Sequence, residues 1–346
     1  MRPDRLVLQL FNAGSSAATQ GIRVREINPA LAAAGFQVQT IRPFGWPWNP
    51  FARMHNAFRG LDPLRTIYVL LRCRNVALVC GHLESCALLL YLRRVFFFRP
   101  PILVWEVPWS PGWRYREAVS RLALPRADGA VVFSTSQIEL VQKHFRHDLE
   151  TIFVPFCVDT EFYSPQTRSP MQDAYIWSCG LDEGRDFETI LEASKATQAR
   201  FLIKAGSFLK VRGEQYPNVT FEKGYLPPEE FRKRYSDAAI VIVSTKVTSN
   251  ASGVTSLMES LAMGRPTIVT DNPALRDYLP PPGAGIVIPV GDKDALRRAI
   301  QILLEDPEGA EAMGVAARKY AEERFSRTRH YKEMAKAFDQ IIGTPK

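Results

Sequence analysis

Residues 250–271 read NASGVTSLMESLAMGRPTIVTD. A small-residue loop opens a helix, and a short β-branched run follows it. Val254, Leu257, Met258 and Leu261 stand at i, i+3, i+4 and i+7, which is one apolar helical face. Ser252, Thr255, Ser256 and Glu259 make a hydroxyl-rich face with a single carboxylate on the other side. Ser252 suits the capping position. Gly264 and Pro266 stop the helix, and TIVT reads as a buried strand. A helix start offers unpaired N–H groups and the positive end of the helix dipole, which together attract phosphate. A carboxylate two turns in, Glu259, can accept hydrogen bonds from sugar or ribose hydroxyls.

The same strand–helix alternation runs outward in both directions, as a parallel sheet with covered faces requires. In the first half, RLVLQL, FQVQTIRP, NVALVC (75–80), ILVWEV (102–107), GAVVFST (129–135) and TIFVPF read as strands. GIRVREINPALAAAG and SQIELVQKHF read as helices between them. In the second half, AYIWSCG, RFLIKAG, AIVIVST, TIVTD and GIVIPV are strands. Helices are expected from Phe187 to Ala196, after Pro227–Pro228, over 252–263 and from Asp292. A last basic amphipathic helix runs from Arg327 to Ile342. The segment FYSPQTRSPMQD (162–173) holds two Pro, two Ser and few large apolar residues, and reads as a linker.

At 346 residues, two domains of ordinary size are expected, and 46% apolar residues suffice for two cores. The five cysteines, at 73, 80, 86, 157 and 179, lack the close paired spacing of metal ligands. Reduced, buried thiols in a cytoplasmic protein are the expectation. LVLQLF, after Arg2 and Arg5, reads as a first strand and not as a signal sequence. No stretch reaches the roughly 18–20 apolar residues that span a bilayer; CALLLYL and VFFF are split by Arg93 and Arg94. Charge is unevenly placed. Residues 1–150 hold 18 Arg and one Lys against ten acidic residues, whereas the whole chain carries +8. All the surplus positive charge sits in the first half, and it suits an anionic membrane surface. PFGWPWNPFARMHNAFR (43–59) mixes Trp and Phe with Arg in the same sense. Basic–aromatic patterning of the nucleic-acid-binding kind is not found beyond that segment.

The 250–271 segment resembles the nucleotide-sugar site of GT-B glycosyltransferases of family 4 type. Three further segments resemble the same family in its order. VPFCVDTEFYSP (154–165) is similar to its hinge, and NVTFEKGYLPPEEFRKRYSDAAIVIVST (218–245) to its strand, base-contact loop, helix and strand. GAGIVIPVGDKDALRRAI (283–300) is similar to the strand, turn and helix after its donor site. The resemblance implies an α/β GT-B fold, two Rossmann-like parallel-sheet domains facing across a cleft. It places an acceptor-binding domain at 1–161, a linker at 162–173 and a donor-binding domain at 174–326. The helix at 327–346 is then expected to return to the first domain. The implied reaction moves a sugar from a nucleotide-diphosphate donor to a hydroxyl of a glycan or lipid-linked acceptor. Anomeric configuration is retained, with no cofactor and no obligatory metal.

Residue by residue, the resemblance gives Ser252, Gly253, Val254 and Thr255 to the donor diphosphate and Glu259 to the ribose. Arg185 would meet the diphosphate charges and Lys204 would add a second cation. A plain surface lysine is an equally open reading of Lys204. Tyr225 stands where the family contacts the base, with core packing as the rival reading. Gly14 and Ser15 lie in the first strand-to-helix loop, which approaches the donor phosphate in this fold. His82, Glu106 and Trp109 are the acceptor-side candidates, and Glu106, Arg185 and Glu259 the catalytic ones. The chain departs from the family pattern at Ala251, where a Glu is usual, at Leu181, where a first basic residue is usual, and at Glu106, where a His is usual. Two rival readings remain, a nucleotide-sugar epimerase or phosphorylase on the same fold, and a non-catalytic relative serving as a membrane or assembly partner.

Overall fold

In the computed structural model, which describes residues 5–10, 29–41, 62–72, 75–105, 114–166, 174–210, 215–248 and 251–343, the apolar runs form two parallel six-stranded sheets. The chain divides into two compact units, Met1–Pro155 with Thr328–Lys346, and Phe156–Arg327.

In the first unit the strands are β1 (Arg5–Leu10), β2 (Phe36–Ile41), β3 (Leu78–His82), β4 (Ile102–Trp105), β5 (Gly129–Val132) and β6 (Thr151–Phe153). Their order is β2-β1-β3-β4-β5-β6, all parallel. Parallel neighbours need crossover connections, supplied among the described residues by α1 (Pro29–Ala33), α2 (Pro63–Arg72), α3 (Leu83–Leu92), α4 (Arg114–Ala123) and α5 (Ser136–His144). The third strand is displaced from the expected 75–80. Pairing with β1 and β4 carries it through Gly81 and His82, and an apolar run alone does not mark where a ladder ends. α3, LESCALLLYL, is apolar almost all round and so shows no helical period to the sequence reader.

The second unit holds β7 (Tyr175–Gly180), β8 (Phe201–Ala205), β9 (Val219–Phe221), β10 (Ala238–Val243), β11 (Thr267–Thr270) and β12 (Ile286–Ile288). They are ordered β12-β11-β10-β7-β8-β9, again parallel. Its helices are α6 (Phe187–Ser194), α7 (Pro228–Asp237), α8 (Val254–Ala262), α9 (Lys293–Glu305) and α10 (Pro307–Phe325). Alternate residues of each strand enter opposite cores. Ile176, Ile240, Ile242 and Ile268 join one, and Trp177, Val241, Val243 and Val269 the other. Sheets covered on both faces read as continuous apolar runs for this reason. α10 was not legible in the sequence. Apart from Phe325 at its end, its buried positions are Ala310, Gly314, Ala317 and Ala321, too small to mark a hydrophobic stripe.

The second unit begins earlier than the expected linker. Tyr163 is buried and packs edge-on against Tyr235, and Arg318 donates to the carbonyls of Thr160 at 2.8 Å and Tyr163 at 2.6 Å. These anchors make 156–166 part of the second unit, while 167–173 lie outside the described residues. The last helix, α11 (Arg327–Gly343), packs on the first unit. Phe338 meets Phe36 edge to face at 5.3 Å, and Arg5 Nη1 reaches Asp339 at 2.6 Å.

Candidate functional site

The strand order of the second sheet reverses between β7 and β10. Chains leaving those two strands at their carboxyl ends part to opposite faces, which opens the crevice where parallel sheets bind ligands. The loop after β7 (181–186) and the described parts of the loop after β10 (244–248 and 251–253) close on each other at that point. Asp186 N–H donates to Ser244 O at 3.0 Å, and Lys246 N–H to Gly184 O at 2.8 Å, on either side of an antiparallel bridge between Arg185 and Thr245. Ser252 Oγ donates to the Asp182 carboxylate. Thr245 is held in turn by Thr270, Oγ1 to Oγ1 at 2.9 Å, and by the Asn272 amide at 3.0 Å.

Arg185 runs inward through this junction and is only 1% exposed. Its Nη1 donates to Ser256 Oγ at 3.1 Å. Its Nε and Nη2 are buried without a hydrogen-bond partner among the described residues. A buried guanidinium with two idle donors is costly unless an anion meets it. Two glycines make the passage. A methyl group on Gly180 would fall 2.5 Å from Arg185 Cγ, and one on Gly253 would fall 3.4 Å from Nη1 and 2.9 Å from Thr245 Cγ2. Gly253, at φ +84°, is also the residue that opens α8, with no side chain capping the helix. The expected cap, Ser252, is drawn away to Asp182. The Val254 N–H is turned to Ala251 O at 3.3 Å, and Val254 itself is buried in the core. Thr255 is half-buried at the same helix start. The Arg185 guanidinium and the start of α8 thus stand together, a cation beside a helix opening, which is chemistry that suits an anion.

The polar face of α8 turns partly inward, with Ser252 and Ser256 buried and Thr255 and Glu259 half-buried. Ser256 is buried against Cys179, and Glu259 Oε2 accepts the Tyr235 hydroxyl at 2.9 Å. Tyr163 hydrogen-bonds the same carboxyl group. Burial pushes Glu259 from its usual 4.5 up to about 7, with the two phenol hydrogen bonds and the Arg185 charge pulling the other way. Tyr163, Tyr235, Cys179, Asp182, Thr245 and Asn272 were given no role at this site from the sequence. They come from five stretches of the chain, around 163, 179–182, 235, 245 and 272, and only the fold brings them here.

Lys204, on β8 beside Cys179, is buried and donates its ammonium to Gly224 O. It therefore holds the turn before Tyr225 and is not a plain surface lysine. Tyr225 is 73% exposed, which removes the core-packing reading. His82 ends β3 half-buried, its ring 6.1 Å from that of Trp105. Gly14, Ser15, Glu106, Trp109 and the 43–59 segment lie outside the described residues. Cys80, Cys86, Cys157 and Cys179 are free and buried. Among the described residues no cluster of His, Cys, Asp or Glu is arranged to hold a metal ion, and no helix is long and apolar enough to cross a membrane.

Residues 209–320 match the family described as glycosyl transferases group 1. No curated protein matches the chain. Among solved structures, the chain is similar to sucrose-phosphate synthase from Thermosynechococcus elongatus, with a TM-score of 0.70 at 19% identity over 98% of this chain and 99% of that one. It is also similar to HepE from Anabaena in complex with UDP, with a TM-score of 0.68 at 12% identity over 97% and 100%. A glycosyltransferase from Rickettsia africae gives a TM-score of 0.68 at 13% identity over the full length of both. The fold is that of the GT-B glycosyltransferases, two Rossmann-like parallel-sheet domains.

Proposed function

We propose that this chain is a retaining glycosyltransferase that moves a hexose from a nucleotide-diphosphate donor to a hydroxyl of a glycan or lipid-linked acceptor. The observation that carries the reading is Arg185, a buried cation with two unused donors beside the start of α8, at the switch point of the second sheet. The group 1 match over 209–320 lies within the same unit and includes the start of α8. Solved structures of the similar HepE hold UDP and UDP-glucose, so a uridine donor is the first to try.

In this reading the departing diphosphate gathers negative charge as the glycosidic bond breaks. Arg185 and the helix start stabilise that charge in a water-poor setting, which is electrostatic catalysis. Glu259 takes the ribose hydroxyls, Tyr225 faces the base, and Lys204 adds a cation. Gly14 and Ser15 approach the donor, and His82, Glu106 and Trp109 serve the acceptor. No cofactor and no obligatory metal is called for. The pathway is synthesis of polysaccharide, glycolipid or cell envelope, in the cytoplasm against an anionic membrane surface.

A non-catalytic relative that holds nucleotide is the second reading. It is favoured by Ala251, which packs on the core where a carboxylate would face the transferred sugar. Incubation with radiolabelled nucleotide sugars and lipid extract separates the two. Transfer or hydrolysis by the wild type supports the enzyme. Nucleotide binding with no turnover of any donor supports the second reading.

A further inference from the structure

Between α3 and β4 the chain reads RRVFFFRP (93–100), and its side chains divide sharply. Phe98 is buried, while Val95, Phe96 and Phe97 are 69%, 48% and 87% exposed. Phe97 has a φ of +51°. The Phe98 N–H donates to Arg93 O at 2.8 Å, and the Phe97 N–H to Arg94 O at 3.4 Å. This is a helix-ending turn whose left-handed position ordinarily falls to glycine. A phenylalanine there is strained, and it leaves its ring in water. Neither property helps the fold.

Around this tip lies a depression of about 650 Å³ lined by Arg93, Arg94, Arg99, Arg126 and Arg146. Asp128 pairs with Arg93 at 2.6 Å and Asp148 with Arg146 at 3.0 Å, so a positive surplus remains. Arg126 stacks on the half-exposed Tyr91 ring at 4.4 Å, and exposed Leu122 is four residues before it. The loops that build this surface enter the amino ends of β4, β5 and β6. Ligands of parallel sheets gather at the opposite, carboxyl ends. The surface is therefore separate from any substrate crevice of this sheet.

We propose that this face docks on an anionic lipid bilayer, with Phe96 and Phe97 entering the boundary between headgroups and chains and the arginines pairing with lipid phosphates. Exposed aromatic tips flanked by arginine suit that boundary, and guanidinium forks suit phosphate. The proposal deepens the membrane part of the reading above. It makes no use of the donor site, so failure here leaves sugar transfer in solution untouched.

Flotation of the full chain with phosphatidylcholine vesicles, with and without phosphatidylglycerol, tests it. The wild type binds only the anionic vesicles, and added salt weakens binding. Phe97→Gly relieves the left-handed strain, so it keeps or raises the melting temperature yet binds about tenfold more weakly. Arg94→Ala lowers binding about fivefold and flattens the salt dependence. Three outcomes overturn the proposal. They are equal binding to neutral and anionic vesicles, equal binding by Phe97→Gly and wild type, and a dimer in solution that Phe97→Gly dissolves, which assigns the face to a second copy.

Discussion

Glu259 shows how much a single residue's setting decides. A carboxyl group raised to about 7 holds its proton more tightly in the folded chain than in the unfolded one. Between about pH 4.5 and pH 7 the native state therefore binds more protons, and stability falls as pH rises through that window. The full cost of ionising Glu259 is on the order of 3 kcal/mol. His330, buried with Nδ1 against Pro155 O at 2.7 Å, has the opposite sign. Burial holds its pKa down, so stability falls as pH drops below the ordinary histidine value. Comparison with Glu259→Gln isolates the carboxyl, because the amide oxygen still accepts from the tyrosines without ionising. The variant is expected to gain on wild type as pH rises from about 5 to about 8. Urea unfolding at both ends of that range checks this, and a constant difference between the proteins removes the buried-carboxyl account.

At the scale of elements, the decisive feature is the pair of loops leaving β7 and β10. Their strands were legible because strands buried on both faces are apolar without interruption. The start of α8 was legible in kind, since small residues ahead of an apolar period mark a helix opening. Its details were not. A sequence does not say that Ser252 is drawn to Asp182, that Gly253 opens the helix in its place, or that the polar face turns partly inward to tyrosines from two other segments. Arg185 was named from the resemblance, but its burial and its two idle donors are properties of the assembled loops. Gly180→Ala tests the channel they make. The atoms nearest the new methyl are Arg185 Cγ at 2.5 Å and Cδ and Nε at 2.8 Å, so the buried side chain must leave its present course. Melting temperature should fall by the equivalent of about 1–3 kcal/mol, while nucleotide diphosphate binding by calorimetry, measured well below the melting range, weakens about tenfold, as for a lost charged hydrogen bond. Unchanged affinity would mean that Arg185 does not need its present course.

On the scale of the molecule, the chain crosses between its units at 155/156 and again at 327/328. The expected boundary failed because composition located the Pro- and Ser-rich stretch, whereas packing of Tyr163 and Arg318 set where the second unit begins. The last helix belongs to the first unit despite its place in sequence. Phe338→Ala removes a buried ring from the contact with Phe36 and should cost about 3–5 kcal/mol. Hydrogen exchange should then show β1 and β2 losing protection while β7 and β10 keep theirs. Uniform loss across both sheets would show that the units do not unfold separately.

The central claim is that Arg185 is a buried cation kept for a diphosphate. Thermal melting of wild type and Arg185→Met, each alone and with UDP, GDP or ADP, tests it most directly. Removing a buried charge with unmet donors should leave the unliganded variant at or above the wild-type melting temperature, by about 1–2 kcal/mol. One diphosphate should raise the wild type and leave the variant unmoved. A variant that melts well below wild type and is still stabilised by the same diphosphate would contradict the account, because Arg185 would then serve the fold and not the ligand.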